Sequence, residues 1–163
     1  MDNMQALLDS DLDLMQNFPG GAWPSTTINF GPRTATVPHT DFLDLAYGWC
    51  SITALGKFNP DKGGQLVLWN LKLVIRFPPG STVFIPSAII THSNCPISQK
   101  ERRYSITQWS SGDLFRWVQN GFKNNTDVNA VATKEEKLQR KEIQRKRWRE
   151  GLKMYPTLQE LLQ

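Results

Sequence analysis

The sequence predicts a mainly β domain, a sandwich or barrel of short strands, with one helix before it and a long basic helix after it. Three observations predict it. Between Thr26 and about Trp117 the apolar residues keep the period of strands, in TTINFG, TATVPH, WCSITALG, QLVLW, LKLVIRF, STVFIPS, AIITHS and RYSITQWS, punctuated by the turn-forming FNPDKGG, PPG and CPISQKE. Ahead of them, Met4, Leu7, Leu8, Leu12 and Met15 recur at helical spacing. Behind them the composition turns polar after Asn124 and leads into the charged run EEKLQRKEIQRKRWREGLKMY.

Each element follows from local chemistry. The first helix, over residues 2–17, is ended by FPGGAWPSTT, whose prolines and glycines break helices. Seven or eight short strands over residues 26–117 are what sandwiches and barrels are built from. LVLW and VFIP are apolar at every position, which predicts strands covered on both faces. Thr133 and Glu136 have capping-box spacing and open a helix that runs to about Tyr155, where Pro156 stops it. Thr157 and Glu160 repeat the pattern for a short last helix, TLQELL. The expected organisation is an N-terminal helix and loop over 1–25, a β core over 26–122 and a basic helical segment over 123–163.

Composition narrows the class. A chain of 163 residues, 39% hydrophobic and 21% charged, fits one domain with a sizeable core. No window approaches the roughly 18 uninterrupted apolar residues of a membrane helix. The N-terminus is acidic where a secretory signal is basic, so an intracellular protein is expected, as a monomer and without a membrane partner. Cys50 and Cys95 are too few for a disulfide framework and read as reduced, mostly buried thiols. The net charge of +4 is uneven: residues 134–153 hold nine Lys or Arg against four Glu, leaving ten against eleven elsewhere.

The stretch TATVPHTDFLD carries the first chemical signal. On a strand, residues two apart share a face, so His39 and Asp41 present an imidazole and a carboxylate to one point while Thr40 faces away. Two histidines and one carboxylate hold a metal on one side and leave adjacent positions open for other ligands, the arrangement of non-haem Fe(II) oxygenases. The chain has only one other histidine, His92, which lies 53 residues on, behind the apolar strand STVFIPS. Arg103 and Ser105, again two apart, share a face of the strand RRYSITQW. A guanidinium fork with an adjacent hydroxyl suits a carboxylate. Each signal has a plainer counterpart, in a surface histidine or an exposed Arg-Arg pair; the order His39, Asp41, His92, Arg103, Ser105 is what sets those aside.

HTD, then GGQLVLW, then PPGSTVFIPSAIITHS, then RYS resemble the double-stranded β-helix, or jelly-roll, core of Fe(II)/2-oxoglutarate dioxygenases, over about residues 26–110. TINFGP, PHTD, WCSITALG, FPPGSTVFIPSA and LFRWVQNGF are similar to fungal, often transposon-associated proteins grouped with the TET and J-binding-protein dioxygenases. The resemblance implies Fe(II) at His39, Asp41 and His92, 2-oxoglutarate at Arg103 and Ser105, O2 as oxidant, and oxidation of a C–H bond, with the methyl group of a modified nucleic-acid base as one substrate. Asn29 is a further candidate for contact with cosubstrate or substrate, although an Asn beside Gly31 also suits a turn. Relatives of this kind carry a long N-terminal region, whereas only about 25 residues precede this core.

Two other readings stay open. One is a catalytically inactive β-barrel module, or truncated transposon-derived relative, that works through its basic helix. The other is a cupin-like metalloprotein, which the count of two histidines disfavours. The tail itself has two readings: a solvated helix docked by Leu138, Ile143, Trp148 and Leu152, or a cationic face for DNA phosphates, with RKEIQRKRWR as a nuclear address.

Overall fold

In a computed structural model of the chain, Asp9 and residues 18–162 are described. The expected N-terminal helix, apart from Asp9, lies outside the described residues. Seven strands follow in the order β1 (Ser25–Asn29), β2 (Cys50–Lys57), β3 (Leu66–Leu68), β4 (Leu73–Ile75), β5 (Thr82–Ile85), β6 (His92–Asn94) and β7 (Arg102–Trp109). They form a four-stranded sheet, β1-β7-β2-β5, and a three-stranded sheet, β4-β3-β6, in which every named pair is antiparallel. The sheets remain two, unclosed by strand pairing, and between them sits the core of Cys50, Ile52, Ala54, Phe58, Leu66, Leu68, Phe77 and Ile85. Alternate residues of β2 supply three of these, the result of a period-two pattern on a central strand. Fully burying side chains such as Ile52 or Leu68 contributes about 1.5–3 kcal/mol each.

The segment 33–45 laces the two sheets together on one side. Arg33 bridges Arg103 of β7, and His39 bridges His92 of β6. Asp44 then bridges Ser111, just beyond the end of β7. The chain thus crosses from the large sheet to the small one and back. TATVPH was expected as a strand and is not one: it touches each sheet at single residues, and Pro38 lacks the amide that a ladder needs. AIITHS is likewise shorter than expected, because residues 88–90 turn back with the Ile89 and Ile90 amides on Pro86 O, leaving only His92–Asn94 as strand.

The expectation of strands covered on both faces also fails. Phe84 and Val74 are exposed, and Phe84 is partly shielded by stacking on Trp23, with ring centroids 5.9 Å apart. Among the described residues no helix packs closely on those outer faces, so apolar composition here reflects strand preference and aromatic contact as much as burial.

Four helices follow β7: α1 (Gly112–Gln119), α2 (Asn125–Val131), α3 (Lys134–Leu152) and α4 (Leu158–Leu161). Strand-like sequence was expected to about Trp117, but Ser111 caps α1 by accepting from the Asp113 amide at 3.1 Å, and Asn124 caps α2 by accepting from Asp127 N at 2.8 Å. The two capping boxes read from the sequence are present, at Thr133 with Glu136 and at Thr157 with Glu160. Of the expected apolar docking stripe, Leu138, Ile143 and Leu152 are exposed, and the side chain of Trp148 lies outside the described residues. The helix is held near its C-terminal end instead. Gly151 is buried so close to Tyr47 that a Cβ there would lie 2.5 Å from the ring, Tyr155 sits edge-on to Trp49, and its hydroxyl donates to Ala46 O at 3.1 Å. No helix among the described residues is long and apolar enough to cross a membrane.

Candidate active site

His39, Asp41 and His92 converge. One ligand atom from each lies within 4.8 Å of the others, with His39 Nε2 3.5 Å and His92 Nε2 3.8 Å from the Asp41 carboxylate oxygens. The geometry behind this differs from the strand expected. His39 and His92 are antiparallel bridge partners that exchange both backbone hydrogen bonds, at 3.1 and 2.9 Å, which brings their rings together, tilted at 47° with centroids 4.4 Å apart. Asp41 is placed by its own amide, which donates to Ser87 O at 3.0 Å. Thr40, expected to face away, is among the residues around the cavity.

Each imidazole is oriented in the same way. His39 Nδ1 lies 2.8 Å from Val37 O and His92 Nδ1 2.9 Å from Ile90 O. A carbonyl only accepts, so Nδ1 carries a proton in both rings and each Nε2 is the ring nitrogen that faces Asp41. Burial pushes His92 below its usual pKa, opposed by the bond to Ile90 O and the Asp41 charge, and assisted by His39; the ring is therefore held neutral. Two imidazole nitrogens and one carboxylate suit a divalent transition metal. A second cluster, Asp41, Asp44 and Cys50, is a poorer donor set. Burial pushes the Cys50 thiol up to about 12, and burial with the neighbouring Asp41 charge raises Asp44 to about 6 against a bond from Ser87.

Across a cavity of about 590 Å³ lies Arg103. Its side chain is only 2% exposed, while Arg102 is exposed, so the register of β7 is the one expected. Arg103 NH1 donates to Thr34 O at 3.1 Å, Nε has no partner, and no carboxylate among the described residues pairs with it. Burial alone lowers its pKa. A buried guanidinium with an unspent edge is costly unless an anion completes it. Gly56 makes this placement feasible: it pairs with Arg103, has φ of +119°, and a Cβ there would lie 2.3 Å from Arg102 O.

Ser105 and Asn29 are register partners on β7 and β1, and both line the cavity beside Arg103. Asn29 Nδ2 donates to Ser105 Oγ at 3.0 Å, which leaves the serine proton free to donate onward. Asn29 therefore ends a strand and is not the turn residue that Gly31 suggested. Sequence reasoning missed Asn94, whose Oδ1 accepts from both Thr36 N and Thr36 Oγ1 at 3.0 Å and so pins the segment leading to His39. Its spacing of two from His92 was the available signal.

A two-sheet fold with two imidazoles, a carboxylate and a buried arginine around one cavity defines a class of metal- and carboxylate-dependent oxygenases. The profile of the 2OG-Fe(II) oxygenase superfamily matches residues 26–111, just over half of the chain, and the chain belongs to that family. The family's fold is the double-stranded β-helix, and its cofactors are Fe(II) and 2-oxoglutarate. Among solved structures, NgTET1 in complex with 5mC DNA is similar at 21% identity and a TM-score of 0.48, over 55% of this chain and 34% of that one. Viral collagen prolyl hydroxylase vCPH from Paramecium bursaria Chlorella virus-1, in its 2OG complex, is similar at 15% identity and a TM-score of 0.38, over 66% and 68%. The chain thus spans about a third of the NgTET1 chain. No curated protein matches it.

Proposed function

We propose that the chain is an active Fe(II)- and 2-oxoglutarate-dependent dioxygenase that oxidises a C–H bond, with the methyl group of a modified nucleic-acid base as its substrate. The observation that carries the catalytic reading is the convergence of His39, Asp41 and His92 opposite a buried Arg103 with an unpartnered Nε. His39 Nε2, His92 Nε2 and an Asp41 oxygen would hold the metal. Arg103, with the Ser105 hydroxyl that Asn29 orients, would hold the distal carboxylate of 2-oxoglutarate. When bound, Fe(II) and 2-oxoglutarate couple decarboxylation to oxidation of the substrate, so that 2-oxoglutarate, O2 and R–H give succinate, CO2 and R–OH. The protein fixes both imidazole tautomers, neutralises the distal carboxylate and keeps His92 and Arg103 out of water.

The substrate reading is supported by the motifs that resemble TET-type proteins and by the basic C-terminal segment. Its test is incubation of iron-loaded protein with 2-oxoglutarate and a panel of methylated DNA, methylated RNA and peptides, followed by mass spectrometry of the products. Oxidised methylcytosine supports it. Oxidation confined to peptides moves the substrate to another class and leaves the catalytic reading standing.

A further inference from the structure

Helix α3 lines an open groove with its cationic side, facing residues of α1 and α2. A helix kept for structure presents apolar residues at i, i+3, i+4 and i+7 to its neighbours. Here the α3 residues facing α1 and α2 are Lys137, Arg140, Lys141, Gln144 and Arg147 with a single apolar residue, Ile143, and they line two adjoining cavities of about 410 and 500 Å³. The cavities share Asn125, Arg140 and Gln144 and so make one groove. Arg116 of α1 and Lys146 add two cations at its wider end, and Glu150 is the only carboxylate in the lining.

The groove is short of counter-charge. Arg116 pairs with Asp113, and Glu150 is engaged by Lys153 at 2.9 Å. None of Lys137, Arg140, Lys141, Lys146 and Arg147 is in an ion pair among the described residues; Arg140 donates instead to Asn120 Oδ1 at 3.0 Å. Five unpaired cations on one concave face repel each other unless a polyanion lies among them. From Lys137 to Glu150 the helix rises about 20 Å, which matches about six phosphates of one duplex strand at about 3.4 Å each.

One end of the groove lies near the segment that carries the catalytic cavity's rim. Gly112, at the start of α1, packs against the Leu43 and Asp44 carbonyls, with the Arg116 guanidinium beside it. Phe42 and Leu43 line the catalytic cavity and are themselves exposed, so they form its lip. We propose that the groove between α1–α2 and α3 binds the phosphate backbone of a nucleic acid and delivers a base across the Phe42 lip to the catalytic cavity. The delivery half of this rests on a nucleic-acid base being the substrate; the binding half stands on the groove.

The test compares two triple variants of equal charge on the same helix. One removes groove cations (Lys137→Ala, Lys141→Ala, Arg147→Ala). The other removes cations that do not line the groove (Lys134→Ala, Arg145→Ala, Arg149→Ala). Binding to a fluorescein-labelled methylated 20-base-pair duplex is followed by anisotropy across a salt series, with circular dichroism to verify the fold. The wild type should show a log–log salt slope of about −4.5, from five contacts at about −0.9 each. The groove variant should be shallower by about 2.7 and at least about tenfold weaker at low salt, with the control within about threefold of wild type. Equal losses in both variants, or wild-type affinity in the groove variant, would overturn the proposal. Succinate formation measured on the same preparations separates the two claims: groove-dependent binding without turnover removes the oxygenase reading and keeps the groove, while turnover without duplex binding does the reverse.

Discussion

Substituting Arg103 tests the cosubstrate half of the site. Its NH1 is already spent on Thr34 O, which leaves the Nε edge, where Nε is buried and unpartnered, to meet a carboxylate as a two-bond fork. Two charge-assisted bonds contribute about 1.5–3 kcal/mol each when water is excluded, and part of that is offset because a cosubstrate left unpaired keeps its hydration. A net loss of about 1.4–3 kcal/mol converts to a ten- to hundredfold higher KM for 2-oxoglutarate in Arg103→Ala. Arg103→Lys should fall between it and wild type, since an ammonium retains the charge without the fork. Arg102→Ala should leave KM unchanged, because that side chain is exposed. The assay is initial-rate succinate formation against 2-oxoglutarate concentration. A wild-type KM in Arg103→Ala, or the larger effect at Arg102, would refute the register and the anchoring role together.

Three further outcomes follow from particular contacts. Gly56→Ala should destabilise the fold by about 1–3 kcal/mol in urea titration, because a Cβ at φ +119° would meet Arg102 O, and it should raise the KM for 2-oxoglutarate by shifting Arg103. Asn94→Ala should cost about 0.5–1.5 kcal/mol by removing the hydrogen bonds that hold Thr36, and should weaken metal affinity by loosening the chain that leads to His39; unchanged affinity in a calorimetric titration with Mn(II) would count against this. With a chelator present, Asp44→Asn should stabilise the protein above pH 6 and have no such effect below pH 4. The folded carboxyl titrates at about 6 instead of 3.8, so the folded state holds its proton longer and the wild type loses stability as pH rises through that window. A melting-temperature difference that is constant from pH 4 to 8 would contradict the assignment.

Much of this was legible in the sequence, for identifiable reasons. The register of β7 could be read because alternation on a central strand leaves Arg103 and Ser105 no other face, and the caps at Thr133 and Thr157 because capping is local chemistry. The candidate cluster of His39, Asp41 and His92 could be read because the chain has only two histidines. What could not be read depends on contacts distant in sequence. His39 is aimed by pairing with His92 and Asp41 by an amide bond to Ser87 O, so the three residues converge for a reason other than the shared strand face that was expected. Helix α1 was hidden because its strand-forming Phe115, Trp117 and Val118 outweigh a cap that rests on Ser111 alone. The cationic groove between α3 and the two helices before it was hidden because the placement of α3 involves Gly151 fitting against Tyr47, a contact that no periodicity encodes.

The central claim is that His39, Asp41 and His92 form a working metal site for 2-oxoglutarate chemistry. The measurement that tests it most directly is succinate formation by iron-loaded wild type and Asp41→Ala, each with and without 2-oxoglutarate and O2, alongside metal content and circular dichroism. The account predicts succinate from the wild type only when Fe(II), 2-oxoglutarate and O2 are all present. It predicts none from Asp41→Ala, whose spectrum should match wild type because a half-exposed carboxylate contributes little to the core. Wild-type rates in Asp41→Ala, or a wild type that binds Fe(II) and 2-oxoglutarate yet forms no succinate, would contradict it.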